Sequence, residues 1–415
     1  MTEQKVVSGT IDELLAHARQ LFNSGNVADA DSLCEQIIIR TPSRSEPWFI
    51  RAAAAAQGKD LGQAVRFLDA ADRIDPPDPQ RFKLRLLLYQ HLGRFADILR
   101  LAFEHRAATS SGPLADIVAE ARSAHAELAA AARRRRADGR YDLGDVTFII
   151  PVYIESDDRA RNLEIILAFL ARHFDTNVLV CEDVKNRPPR APEGVDRLAY
   201  RRLVVTGNDT PYFHKTWMIN HAVENVRTPF VVAHDSDAVI APVQYAAARA
   251  RAGRAVVFPY NGTVVDIPRS ASDAFAGHLD PAEVDLIAAE NLYPGLAANG
   301  GAVLFERETL RRAGGFNERI VAWGLEDREI IERLAKLGHV AERLGGPLVH
   351  LRHVRTTNSN ETHPFWRANV AELEAMRALA PADLAAAATA GRFRRPLINR
   401  HSAAHAMDMA QRATD

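Results

Sequence analysis

Two carboxylates stand two residues apart at the end of an apolar run. Asp235 and Asp237, with Ser236 between them, follow the string PFVVAH. On an extended chain, side chains two apart share a face. Carboxylates held together repel unless a cation lies between them. Hard oxygen ligands select Mg²⁺ or Mn²⁺. Upstream, the string FHKTWMINHAV sets Lys215 at the start of an expected helix, where it can meet a phosphate as a point charge. An exposed helical lysine is the plainer reading of Lys215 alone.

A second constellation lies downstream. Gly300-Gly301 precede a short apolar strand, AVLF, and a helix then runs to a turn at Gly314-Gly315. Trp323-Gly324-Leu325-Glu326-Asp327 opens the next helix with two acids. Acids in a first turn are ordinary partners of the helix dipole. Here they follow a tryptophan, and an indole beside carboxylates suits a sugar, by stacking plus hydrogen bonding. The string GGPLVHLRHVR then gives a strand with His350 and His353. A spacing of three does not suit one strand face, so one of the two is expected at a metal.

The elements that must position these residues change character along the chain. Residues 10–130 carry apolar residues at three- and four-residue spacing and predict helix after helix. Gly25, Gly58 and Gly93 recur in polar turns, and Ala30 and Pro42 recur as Ala64 and Pro76. A period near 34 residues resembles tetratricopeptide repeats, which stack to bury their faces. Such a domain, taken as 1–135, is expected to grip a glycan or protein or to self-associate. Arg133 to Arg136 read as a solvated helix end; peripheral contact with an anionic membrane is the other reading. After a linker at 136–144, strands alternate with helices from 145 to 390, which predicts an open, largely parallel α/β sheet. Ligands in such sheets bind beyond the strand carboxyl ends. Residues 391–415 read as a tail. The punctuated stretches 207–214 and 260–280 are candidate lids.

Composition narrows the function. A formal charge of −1 gives no field toward nucleic acid. The two cysteines, Cys34 and Cys181, make no disulfide framework or zinc pattern and suit a reducing cytoplasm. No leader is read at the N-terminus, and no uncharged apolar run reaches the roughly 18 residues of a membrane span.

Taken together, the string GGAVLFERETLRRAGGFNERIVAWGLED and the histidine-bearing strand resemble the β-1,4-galactosyltransferase group and its bacterial relatives, inverting glycosyltransferases of GT-A fold. The likeness begins at VTFIIPVYIESDDRARNLEIILAFL and spans about 145–370. It implies a Rossmann-like nucleotide-sugar domain, a nucleotide-sugar donor, UDP-linked, and Mn²⁺ (or Mg²⁺). It implies Asp237 on the ion, Asp235 on the ion or the ribose, and His350 completing the metal site, with His353 as the substitute. Pro151, Val152 and Glu155 would line the uridine, Asp183 with Glu182 would meet the base or ribose, and Lys215 would stand at the phosphates. Trp323 and Gly324 would shape the sugar pockets. Glu326 and Asp327 would bind the acceptor, with Asp327 as the base. Three departures stand out. The vertebrate members have a glycine where this chain has Leu325. They commonly carry arginine at the place of Lys215, which loses a bidentate fork. They also lack the helical repeats. Two rival readings are a sugar nucleotidyltransferase, whose phosphate loop IPVYIESDD lacks, and an adaptor with a catalytically dead domain.

Overall fold

The computed structural model describes residues 9–58, 60–183, 199–205, 212–251, 253, 256–293, 296–355 and 362–394. Among these residues the first part is helical: α1 (Ile11–Asn23), α2 (Val27–Arg40), α3 (Ser45–Gln57), α4 (Leu61–Asp72), α5 (Pro79–His91), α6 (Phe95–Glu104), α7 (Arg106–Thr109) and α8 (Pro113–Ala132). The odd members of the first six begin at 11, 45 and 79 and the even ones at 27, 61 and 95, so three helix pairs recur every 34 residues. Local chemistry sets the starts. Thr10 and Glu13 cap α1 reciprocally. Asp78 caps α5, and Pro79 occupies the first helical position, where its missing N–H costs nothing. The pairs bury Leu14, Leu15, Ile37 and Ile50 at one end and Leu68, Leu86 and Ile98 further on.

The second part runs β1 (Tyr141–Val152), α9 (Asp157–His173), β2 (Phe174–Asp183), β3 (Ala199–Val205), α10 (Lys215–Glu224), β4 (Phe230–His234), β5 (Ala238–Val239) and α11 (Pro242–Ala250). It continues through β6 (Val256–Phe258), β7 (Val264–Ile267), α12 (Arg269–His278), β8 (Glu290–Asn291), β9 (Ala302–Glu306), α13 (Arg307–Arg312) and α14 (Glu326–Lys336). It closes with β10 (Ala341–Arg343), β11 (Leu348–Leu351), α15 (Trp366–Ala378) and α16 (Pro381–Thr389). The expected α/β class is observed, but the main sheet is mixed. Its order is β10-β6-β9-β4-β1-β2-β3, and β9 runs antiparallel to β4 and β6. That reversal brings the start of β9 to the carboxyl end of β4, with Ala302 opposite His234. A second sheet, β5-β11-β7-β8, lies beside it.

Both expected domain edges differ from the observed ones. The stretch 136–144 holds the start of β1, where Tyr141 to Leu143 pair with Phe174 to Thr176. Tyr141 and Leu143 are buried in the core, so this stretch is drawn in by packing. At the other end Phe393 is fully buried among α15 and α16, and its carbonyl accepts from Glu318 N–H. Residues 395–415 lie outside the described residues. The basic run folds back: Arg135 lies over the Tyr141 ring and Arg136 pairs with Asp175.

The two halves are joined by close packing. Gly93 lies so near Gly346 that an added Cβ would stand 2.6 Å from its Cα. Leu128 of α8 packs on the cores of both halves. Arg251 bridges Glu127 of α8 and Glu342 of β10, and Asn261 donates to the His91 carbonyl (2.8 Å). Among the described residues no helix is long and apolar enough to cross a membrane.

Candidate active site

The strand ends named above open onto a cleft of about 770 Å³. The main sheet supplies one side. β4 ends at His234, and the chain turns through Asp235, Ser236 and Asp237 before β5. The Asp235 N–H donates to the Gly301 carbonyl (2.7 Å), which ties the triplet to the start of β9. Because β4 has ended, the extended-chain rule fails here and the two carboxylates diverge. Asp235 meets Lys215 (3.0 Å), whereas Asp237 turns to the histidines.

The small sheet builds the histidine side. His350 of β11 pairs with Ala238 on one flank and Asp266 of β7 on the other. Its Nδ1 lies 2.6 Å from Asp266 Oδ1 and its Nε2 3.8 Å from Asp237. His353 Nε2 lies 3.2 Å from Asp237. The expectation that one histidine at most faces the site is corrected. β11 stops at Leu351, so strand alternation does not reach His353, and both imidazoles converge. One ligand atom from each of Asp237, His350 and His353 falls within 4.8 Å of the others, a donor set that can hold a metal ion. Asp266 is the outer partner that orients His350, and nothing but a polar residue within VVDI marks it in the sequence.

The electrostatics fit that arrangement. Burial alone would raise Asp237, yet the two imidazoles hold it well below the usual carboxylate range. Burial alone would lower His350, but Asp237 and Asp266 raise it. A bound cation would take the place of those protons, because imidazole ligates in its neutral form.

The acid side is assembled by α10 and α14. Lys215 opens α10 and its ammonium sits among Asp235 (3.0 Å), Asp327 (3.1 Å) and Glu326 (3.4 Å). Burial would lower Lys215, and the three carboxylates override it and hold it well above the ordinary lysine value. Lys215, expected at phosphates, is thus engaged with acids. Burial pushes Asp327 up to about 7; Lys215 opposes the rise, and Glu326 and Asp235 add to it. Glu326 Oε2 is buried and receives no hydrogen bond.

Neighbouring residues of both strings serve as scaffold. Asn220 donates to the Phe316 carbonyl and accepts from the Phe316 N–H (both 2.8 Å). Thr216 donates to the Ile320 carbonyl, so α10 is clamped to the turn after Gly315. Arg333 of α14 is fully buried with Glu329, donates to the Gly315 carbonyl, and lies over Phe393. A Cβ at Gly300 would stand 2.2 Å from Asp327 Oδ2, so a side chain there would push that carboxylate aside. Leu325 holds φ +73, the left-handed region that glycine favours, so the backbone shape suited to glycine is kept without one.

The other expected residues fall in two places. Pro151, Val152 and Glu155 line a small hollow with Tyr153, Arg159 and Phe213, at the cleft's edge. Tyr153 and Phe213 lie parallel, 6.4 Å apart. Glu182 and Asp183 are buried at the end of β2, where Glu182 pairs with Val152. Trp323 and Gly324 line the cleft, and Trp323 stacks on Trp366, whose centroid is 6.0 Å away. Trp366 lies beyond the quoted motifs and has no signal in their spacing. Of the two candidate lids, 260–280 forms β7 and α12 with Phe275 in the core, and of 207–214 the residues 207–211 lie outside the described residues.

Residues 287–357 match the family model described as the N-terminal domain of galactosyltransferase. That segment carries Glu326, Asp327, His350 and His353, and over it the resemblance read from the motifs is borne out. No curated protein matches the chain. Similar solved structures include the catalytic domain of Drosophila β1,4-galactosyltransferase 7 with xylobiose, at 15% identity over 50% of this chain and 71% of that one, TM-score 0.31. Glucosyl-3-phosphoglycerate synthase from Mycobacterium tuberculosis, with Mn²⁺, UDP and phosphoglyceric acid, is 15% identical over 60% of this chain and 81% of that one, TM-score 0.35. Both likenesses are too distant to assign a role to any residue.

Proposed function

We propose that the protein is a metal-dependent glycosyltransferase that moves a sugar from a nucleotide donor, UDP-linked, to a hydroxyl of a glycan or protein acceptor, with inversion. A helical repeat domain precedes a GT-A domain that begins with β1 at Tyr141 and closes at Phe393. The observation that carries the reading is one cleft with a metal-ligating set on one side and a lysine-tethered acid group on the other, to which the segment matching the galactosyltransferase model gives Glu326, Asp327, His350 and His353.

Asp237, His350 and His353 would hold the ion. Two imidazoles in the set favour Mn²⁺ over Mg²⁺, which prefers oxygen ligands and its own water. The ion, when bound, neutralises charge on the diphosphate leaving group. Pro151, Tyr153 and Phe213, at the cleft's edge, would line the base and ribose. Asp327 accepts the proton of the acceptor hydroxyl as that oxygen bonds to the anomeric carbon. The bond from that carbon to the phosphate oxygen breaks, and its electron pair leaves with the diphosphate. A pKa near 7 suits a base working near neutral pH. Lys215 keeps Asp327 in place, and Glu326 offers its unsatisfied oxygen to an acceptor hydroxyl. Trp323 supplies the stacking face.

The test is release of UDP from UDP-galactose, UDP-glucose and UDP-N-acetylglucosamine, with Mn²⁺ and with EDTA. Mn²⁺-dependent release from one donor, suppressed in Asp237→Ala, is expected. An inert protein with all three donors and an unchanged thermal midpoint on adding UDP and Mn²⁺ contradicts the proposal, and favours the adaptor.

A further inference from the structure

The cleft extends beyond the residues that the proposed chemistry uses. Its outer wall is one face of α15: Trp366, Val370, Leu373 and Arg377 all line it, at intervals of four, three and four residues. Those intervals place them on a single helical stripe. The stripe starts at Trp366, stacked on Trp323 beside the acids, and Val370 lies about 6 Å further along the axis. Val370 is 37% exposed, and Leu296, which lines the same cleft, is 63% exposed. Among the described residues six large apolar side chains are exposed, and two of them share this one cleft. Scattered single ones would call for no account, whereas a group continuous with a binding cleft does.

We infer that the acceptor is amphipathic: its sugar or hydroxyl end lies over Trp323 and the acids, and an apolar group attached to it runs along the stripe past Trp366 to Val370 and Leu296. This rests on the transferase reading. Two tryptophans and a polar pocket hold the sugar, and a purely polar glycan would leave Val370 and Leu296 in water. An apolar aglycone covers them, at about a fourfold gain in binding per buried methylene. A polar glycan chain and a protein surface are the competing occupants.

The experiment compares octyl and methyl β-glycosides of glucose, galactose and N-acetylglucosamine as acceptors, with the UDP-sugar that supports Mn²⁺-dependent UDP release. Wild type is expected to show a KM at least about tenfold lower for the octyl form of its preferred sugar. In Val370→Asp and Leu296→Ser, both at exposed positions, that ratio is expected to fall toward one, while the thermal shift given by UDP with Mn²⁺ stays as in wild type. Equal KM values for octyl and methyl forms, in a protein that releases UDP, overturn the inference and leave the transferase reading intact. An octyl preference that both variants retain also overturns it. A protein that neither binds nor turns over any donor defeats both.

Discussion

In the helical half, Arg81 and Arg85 lie among Asp69, Asp72, Asp75 and Asp78; in the cleft, Lys215 lies among Asp235, Glu326 and Asp327. Each group gathers more acids than bases, and on sequence alone they look alike. Their surroundings differ. The Asp75 and Asp78 side chains are half exposed, whereas Glu326 and Lys215 are almost wholly buried. A hydrogen bond from Ser45 first, and Arg81 against slight burial, hold Asp75 below the ordinary carboxylate value. Burial pushes Asp327 up to about 7. Solvated acids beside arginines staple helices, and a desolvated excess of negative charge is kept where it can take a proton.

The comparison breaks most visibly at Asp327. Asp327→Asn should lower kcat about 10²–10⁴-fold with donor binding retained, and a steady-state assay beside UDP titration checks both. Near wild-type turnover would put Asp327 with Asp75 as a structural acid. Next comes pH. Asp327 must be ionised to act, so at saturating Mn²⁺ the kcat/KM for acceptor should rise tenfold or so from pH 6 to 8 and level off above. A flat profile over that range removes the assigned base. Stability runs the other way. A carboxyl whose folded pKa is raised favours the fold while protonated, and that contribution is lost as pH rises through about 7. Asp327→Asn should therefore gain on wild type in thermal midpoint at pH 8.5 relative to pH 5.5.

The join between the halves offers a purely structural contrast. Phe95 of α6 is buried against Gly345, and Phe95→Ala should cost about 3–5 kcal/mol in denaturant unfolding, with turnover per folded molecule little changed. A loss of turnover without loss of stability would give the helical half a part in the chemistry. The smallest effect belongs to the exposed acids: Asp75→Asn should cost under about 1 kcal/mol and leave activity alone.

Much of this was legible in the sequence for local reasons. The 34-residue interval repeats because each helix pair buries the same face, and the helix starts keep it. The Gly300-Gly301 and Gly314-Gly315 pairs and the acids after Trp323 are contiguous, so the string shows them. What escaped depends on contacts between distant segments. The antiparallel entry of β9 is set by sheet packing, and no periodicity encodes it. The divergence of Asp235 from Asp237 and the convergence of His350 with His353 both follow from strands that stop at His234 and Leu351, before the alternation reaches those residues. Trp366 reaches the cleft, and Asp266 reaches His350, only through the tertiary fold. Tyr141 and Phe393, read as linker and tail, are held by burial.

The claim that the metal-ligating side of the cleft holds the donor, while the acid side serves the acceptor, is tested most directly by calorimetric titration of UDP into wild type, Asp237→Ala and Asp327→Asn, each with and without Mn²⁺. Mn²⁺-dependent binding in wild type and Asp327→Asn, lost in Asp237→Ala, is the predicted result. UDP binding that ignores Mn²⁺, or that survives in Asp237→Ala as in wild type, would contradict the account.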